Sequence, residues 1–155
     1  MRFIKEQDGS GIVYCNSRAK VDEISIKLAN QGIRCAGYHA GLEPPIRDKI
    51  QRDFIQDNRD VIVATVAFGM GIDKPNCRFV IHPELPESLE AFIQEAGRAG
   101  RDGNKAFSVV LYHNEDLELL EEKLIHNRAG KQELFKFYQA LHNFLQIPLE
   151  AGRGY

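Results

Sequence analysis

Short, wholly apolar runs alternate along the chain with segments whose apolar residues recur every three or four positions. Ile12-Val13-Tyr14-Cys15 has the pattern of a buried strand, and Asn16-Ser17 after it can cap a helix. From Arg18 to Gln31, Val21, Ile24 and Leu28 share one helical face, and Gly32 ends it. Ile33 to Tyr38 reads as a second strand. Pro44-Pro45 opens a second helix, on which Ile46, Ile50 and Phe54 recur every four residues. Val61 to Ala64 and Phe79 to Ile81 are the third and fourth strands, Ser88 to Glu95 is a short helix behind Pro86, and Phe107 to Tyr112 is a fifth strand.

Strands that are apolar throughout, separated by helices, predict a mostly parallel sheet covered on both faces. The expected class is α/β, with ligands at the carboxyl ends of the strands. The pattern changes after Tyr112. Asn114 to Asn127 reads as a helix whose Glu115, Asp116 and Glu118 complement its dipole, and Lys131 to Gln146 as an amphipathic helix carrying Leu134, Phe137 and Leu141. The expected organisation is therefore an α/β domain over 1–113 and a short helical appendage over 114–155.

Composition narrows this picture. With 155 residues the chain fits one domain of about 100–200 residues and buries enough surface to need no metal or disulfide. The formal net charge of −2 argues against gripping nucleic acid through a bulk positive field, so any bound anion must meet a local cluster. Cys15, Cys35 and Cys77 have no paired spacing and sit in or beside apolar runs, as free thiols of a reducing compartment do. None makes a metal spacing with a histidine, so no metal ligand is expected, and His82, His113, His126 and His142 are assigned to structure. No window approaches the roughly 20 apolar residues of a membrane span, and no partner membrane is expected.

Two loops are too glycine-rich and polar for plain connectors. The first follows the third strand and reads Thr65-Val66-Ala67-Phe68-Gly69-Met70-Gly71-Ile72-Asp73-Lys74-Pro75. Its glycines admit close approach to a ligand, although a tight strand-to-helix connection would need them equally. The second is Gln94-Glu95-Ala96-Gly97-Arg98-Ala99-Gly100-Arg101-Asp102-Gly103. If the helix continues through it, Arg98 and Arg101 share a face and present two rigid forks suited to phosphate; the plainer alternative is a solvated helix end.

Together these stretches resemble the second RecA-like domain of a superfamily 2 helicase, and most closely that of a RecQ-type DNA helicase. Ser10 to Arg18 resembles helicase motif IV, and Tyr38-His39-Ala40-Gly41-Leu42 follows it. VATVAFGMGIDKPN (63–76) resembles motif V, and QEAGRAGRDG (94–103) resembles motif VI. Four motifs in order, over roughly residues 3 to 145, are far more specific than any one alone. The resemblance implies that ATP with Mg²⁺ binds between two such domains, held mainly by the first. Arg101 is then the arginine finger, Arg98 a phosphate or interdomain contact, and Gln94 a link toward the nucleic-acid side. Asp73 would meet the ribose or position Arg101, or else cap the Lys74-Pro75 turn, and Gly71 lies on the same nucleotide side. Ser17, Arg18, His39, Thr65 and the amides near Gly69 and Gly71 would contact strand phosphates, which positions DNA without reading its sequence.

No G-x-x-x-x-G-K-[ST] loop and no acidic motif of the first domain occurs in the chain. The expectation is thus a fragment or excised lobe of an ATP-dependent DNA helicase, unable to hydrolyse ATP alone and partnered by DNA and its own first domain. Zinc is expected only in a missing downstream region. The resemblance also implies a bacterial cytoplasmic location near the nucleoid, or a nuclear one in a eukaryote. Two rivals are a DEAD-box RNA helicase lobe, which usually carries His-Arg where Gln94-Glu95 stands here, and a non-catalytic adaptor derived from a motor domain.

Overall fold

The computed structural model of the chain describes residues 2–69, 72–113 and 115–116. The elements run α1 (Arg2–Lys5), β1 (Ser10–Tyr14), α2 (Arg18–Ala29), β2 (Cys35–Tyr38), α3 (Pro44–Ile55), β3 (Val61–Ala64), β4 (Cys77–His82), α4 (Leu89–Ala96) and β5 (Phe107–Val110). All five strands pair in parallel, in the order β2-β3-β1-β4-β5. β1 and β3 are fully buried along their length, which is why they read as unbroken apolar runs rather than alternating ones.

Successive residues of each strand supply opposite faces. Ile12, Tyr14, Ile62, Ala64 and Val80 pack with Phe54 of α3 and with Phe68 and Ile72 of the long segment after β3. Val13, Val61, Val63, Phe79 and Ile81 pack with Val21 and Leu28 of α2 and with Phe3 and Ile4 of α1. Helices thus cover both faces, the layered arrangement expected of the pattern. Ser17 starts α2 and Ser88 starts α4, each accepting a backbone N–H of the first turn, from Lys20 at 3.2 Å and Ala91 at 3.1 Å.

Three features depart from the sequence reading. α1 is only four residues long, too short to show a period, and it is held by its Phe3 edge-on to Phe79 and Phe107. In α3, Phe54 and Ile50 pack against the core but Ile46 is 45% exposed and takes no part in it. α4 ends at Ala96, and Arg98 and Arg101 lie in turns beyond its Gly97 cap, so no helical face brings them together. The chain divides into two compact units, Met1–Tyr112 and His113–Tyr155. Apart from Glu115 and Asp116, which are helical, the expected helices over 114–127 and 131–146 lie outside the described residues.

Candidate nucleotide and nucleic-acid site

Residues 65–76 form one segment that runs from the carboxyl end of β3 to the amino end of β4. Thr65 leaves the sheet at the upper end, its N–H bonded to the Tyr38 carbonyl at the end of β2. At the lower end, the turn after α4 is tied to the start of β4: the Gly100 N–H donates to the Cys77 carbonyl at 2.9 Å and the Asp102 N–H to the Pro75 carbonyl at 3.3 Å. The candidate residues consequently fall into two sets. Ser17, Arg18, His39 and Thr65 follow the carboxyl ends of the adjacent strands β1, β2 and β3. Asp73 and Arg101 lie toward the amino end of β4, away from the first set.

In the upper set, Ser17 spends its oxygen lone pair on capping α2 and keeps its hydroxyl proton to donate. Arg18 reaches over the β2–α3 connection, where a Cβ placed on Gly41 would lie 3.1 Å from its Nη1. His39 is buried, with Nδ1 accepting the Gly41 N–H at 3.1 Å and Nε2 facing Asp22 at 3.4 Å. With Nδ1 accepting, the proton sits on Nε2, and both ring nitrogens are engaged in shaping the turn rather than facing solvent.

The middle of the segment is gripped from two sides. Tyr14 of β1 donates its hydroxyl to the Phe68 carbonyl at 2.9 Å, and Arg98 donates Nη1 to the next carbonyl, that of Gly69, at 2.7 Å. Burial holds the Tyr14 phenol far above its ordinary pKa, so it remains a neutral donor. Gly69 has φ +143°, and a Cβ there would lie 2.3 Å from the Arg98 guanidinium, so the fork lies directly on the glycine backbone. No carboxylate pairs with Arg98 among the described residues, which leaves a half-buried cation held only by a carbonyl and a neutral phenol. Arg101 instead reaches Asp73, Nη1 to Oδ1 at 3.3 Å, and the Ile72 carbonyl at 3.4 Å. Both side chains of that pair are substantially exposed. Gln94 lies on the exposed side of α4, donating to Glu90 at 3.3 Å. Gly71 lies outside the described residues.

Glu95, Lys74 and Arg78 also shape the site and escaped the sequence reading, whereas His82 is structural as expected. Glu95 is buried and accepts from His82 Nε2 at 2.8 Å, while the His82 ring stacks on Tyr14. The available signal was a carboxylate three positions after Phe92, on the apolar side of α4. Lys74 is buried, bonded to Asp57 at 2.6 Å and lying over the Phe54 ring. Arg78 carries several bonds to the turn around Arg101, considered below; nothing in an apolar strand pattern flags it. A groove of about 610 Å³ elsewhere, lined by Lys5, Asp8, Ser10 and Arg34 among others, contains none of the candidate residues.

Comparison with known proteins adds the following. The family model of the helicase conserved C-terminal domain matches residues 1–103. The ATP-dependent DNA helicase RecQ of Haemophilus influenzae is 52% identical over 125 residues, covering 80% of this chain and 20% of that protein. The chain therefore spans about a fifth of the length of the RecQ protein it matches. The E. coli DEAD-box protein SrmB, solved bound to regulator of ribonuclease activity A, superposes with TM-score 0.69 at 25% identity, covering 77% of this chain and 70% of that one. Mycobacterium smegmatis helicase Lhr, solved with ssDNA and AMP-PNP, gives TM-score 0.63 at 27% identity over 75% of this chain and 17% of that one. Parallel RecA-like topology, the two gripped loops and these matches converge: the chain belongs to the helicase conserved C-terminal domain family and is homologous to the RecQ-family DNA helicases of superfamily 2.

Proposed function

We propose that the chain is the C-terminal motor lobe of a RecQ-like ATP-dependent DNA helicase, presenting Arg101 to the nucleotide and the β1–β3 loop ends to the DNA backbone. The observation that carries this is the separation of the two polar sets by one continuous segment, 65–76. A motor must bind nucleotide and strand at different places and connect them. Arg98 and Arg101 are cations suited to phosphate oxygens, and the uncompensated Arg98 fork is the better evidence that an anion belongs there. Mg²⁺ bound with ATP keeps several waters and phosphate oxygens as ligands, and we assign its protein ligand to the first domain together with the phosphate cradle, as the family resemblance implies.

ATP supplies the phosphoryl group whose transfer drives such a motor. Arg101 would leave Asp73 and move its charge onto the phosphate oxygens, while Asp73, once released, can accept from ribose hydroxyls. Phosphoryl transfer depends on positioning and charge stabilisation, so one lobe with a finger but no cradle should hydrolyse no ATP by itself. In the full-length protein carrying the first domain, Arg101→Ala is expected to lower DNA-stimulated turnover by about 10³-fold or more while nucleotide affinity stays within a few-fold. A variant with normal turnover removes the finger assignment. Robust ATPase in the 155-residue chain alone would refute the division of labour. The DEAD-box reading shares the fold, but 25% identity to SrmB against 52% to RecQ, and Gln94-Glu95 in motif VI, favour the DNA enzyme.

A further inference from the structure

Arg78, near the start of β4, lies outside every stretch assigned above. Its side chain is only 14% exposed, and its guanidinium is almost fully committed. Nε donates to the Asn76 carbonyl at 3.1 Å, Nη1 to the Lys105 carbonyl at 3.1 Å, and Nη2 both to the Pro75 carbonyl at 3.3 Å and to the Asp102 carboxylate at 2.6 Å. The first and third of these groups belong to the end of the 65–76 segment, the other two to the turn that carries Arg101. Asp102 in turn accepts the Asn104 N–H at 3.0 Å, closing the loop around Gly103. The aliphatic stem of Arg78 lies against Gly9, whose φ is +143°; a Cβ there would stand 2.3 Å from Arg78 Cγ. Four of the five N–H donors and the stem are thus occupied, which confines the side chain to one placement.

We propose that Arg78 is a positioning residue for Arg101, tying the turn that bears it to the segment that bears Asp73. This rests on the motor-lobe reading for its consequence in turnover, but not for its structural content. Lysine cannot substitute, because one ammonium on a flexible stem cannot span three carbonyls and a carboxylate that lie in divergent directions around a planar fork. The role differs from ordinary stabilisation because the atoms Arg78 joins are the two sides of the Asp73–Arg101 pair, and its loss loosens their relative placement before it loosens the sheet.

The test has two arms. In the 155-residue chain, Arg78→Ala should raise amide exchange at Gly100, Asp102 and Asn104 by about tenfold or more while the amides of Ile62 and Val80 in the sheet are unmoved. In the full-length protein the same variant should lower DNA-stimulated kcat by about tenfold or more with KM for ATP within about threefold, and Arg78→Lys should restore little of it. Because Arg78 acts through Arg101, adding Arg78→Ala to Arg101→Ala should cost nothing further. Unchanged exchange at the three turn amides in a folded Arg78→Ala chain overturns the proposal, as does a full additional loss in the Arg101→Ala background. Should Arg78→Ala fail to fold, Asp102→Ala, which removes one contact of Arg78 and leaves its three carbonyl contacts, is read at the Gly100 amide, which Asp102 does not itself bond. Normal turnover in Arg101→Ala itself would refute the finger, and the exchange arm would still decide whether Arg78 holds the turn.

Discussion

A single missing Cβ decides where Arg98 can lie. Gly69 is left-handed and its Cα is covered by the guanidinium, so Gly69→Ala meets both backbone strain and a collision. It should destabilise the chain by about 1–3 kcal/mol, read from the shift of the urea midpoint, and displace Arg98 from the Gly69 carbonyl. The cysteines make the opposite point about local environment. Burial pushes the Cys15 thiol up to about 12 and the Cys77 thiol up to about 11, so both are protonated at neutral pH and unreactive while the fold persists. At this scale the sequence was a good guide to which residue types matter and a poor one to their partners. Arg98 and Arg101 could be picked out by the glycines around them. That each bonds a carbonyl 29 positions earlier, Gly69 for Arg98 and Ile72 for Arg101, is set by the crossing of the 65–76 segment and the post-α4 turn, which no local pattern records.

Elements were legible where burial is uniform. β1 and β3 are apolar at every position because helices cover both sides of the sheet, and their pattern can mean little else. The end of α4 was not legible in the same way, since Gln94, Arg98 and Arg101 continue a helical spacing into residues that are turns. Gly97 and the left-handed Gly100 stop the helix, and the turn is then fastened to β4 through Asp102. The Arg78 guanidinium bonded to it, with help from the Asn104 N–H, holds the Asp102 carboxyl down at about 2, below its ordinary 3.8. A carboxyl lowered on folding contributes stability that is complete above its unfolded pKa and lost as pH falls through the folded value. Acid unfolding of the chain should therefore carry a contribution between about pH 4 and 2 that Asp102→Asn removes, flattening the dependence of the unfolding midpoint on pH over that interval.

For the molecule as a whole, the net charge of −2 and the placement of its cations fit together. The upper set offers Arg18 as its one candidate cation toward DNA phosphates, since His39 is turned inward. An isolated lobe of this kind should bind single-stranded DNA weakly, and log Kd should change with log salt by about 0.7 per phosphate contacted, hence with a slope of about 0.7 in magnitude for the one contact Arg18 offers. Titration of labelled single strands across a range of salt measures it, and a slope several times steeper would show that further cations reach the strand. Fold class and the parallel character of the sheet were legible in the chain because both follow from patterning. The division of the candidate residues between two ends of the sheet was not, because it depends on where the segment after β3 and the turn after α4 meet, which no local pattern records.

That split has a thermodynamic consequence. The 65–76 segment begins in a hydrogen bond to β2 and ends under Arg78, with Tyr14 and Arg98 holding adjacent carbonyls between. If a strand bound near Thr65 changes the affinity for nucleotide at Arg101 by some factor, nucleotide must change the affinity for the strand by the same factor, because both close one thermodynamic cycle. Measuring strand affinity with and without nucleotide therefore reports on the same coupling as measuring nucleotide affinity with and without DNA, and a chain that grips tightly in one nucleotide state and loosely in another has the two affinities a stepping motor alternates between.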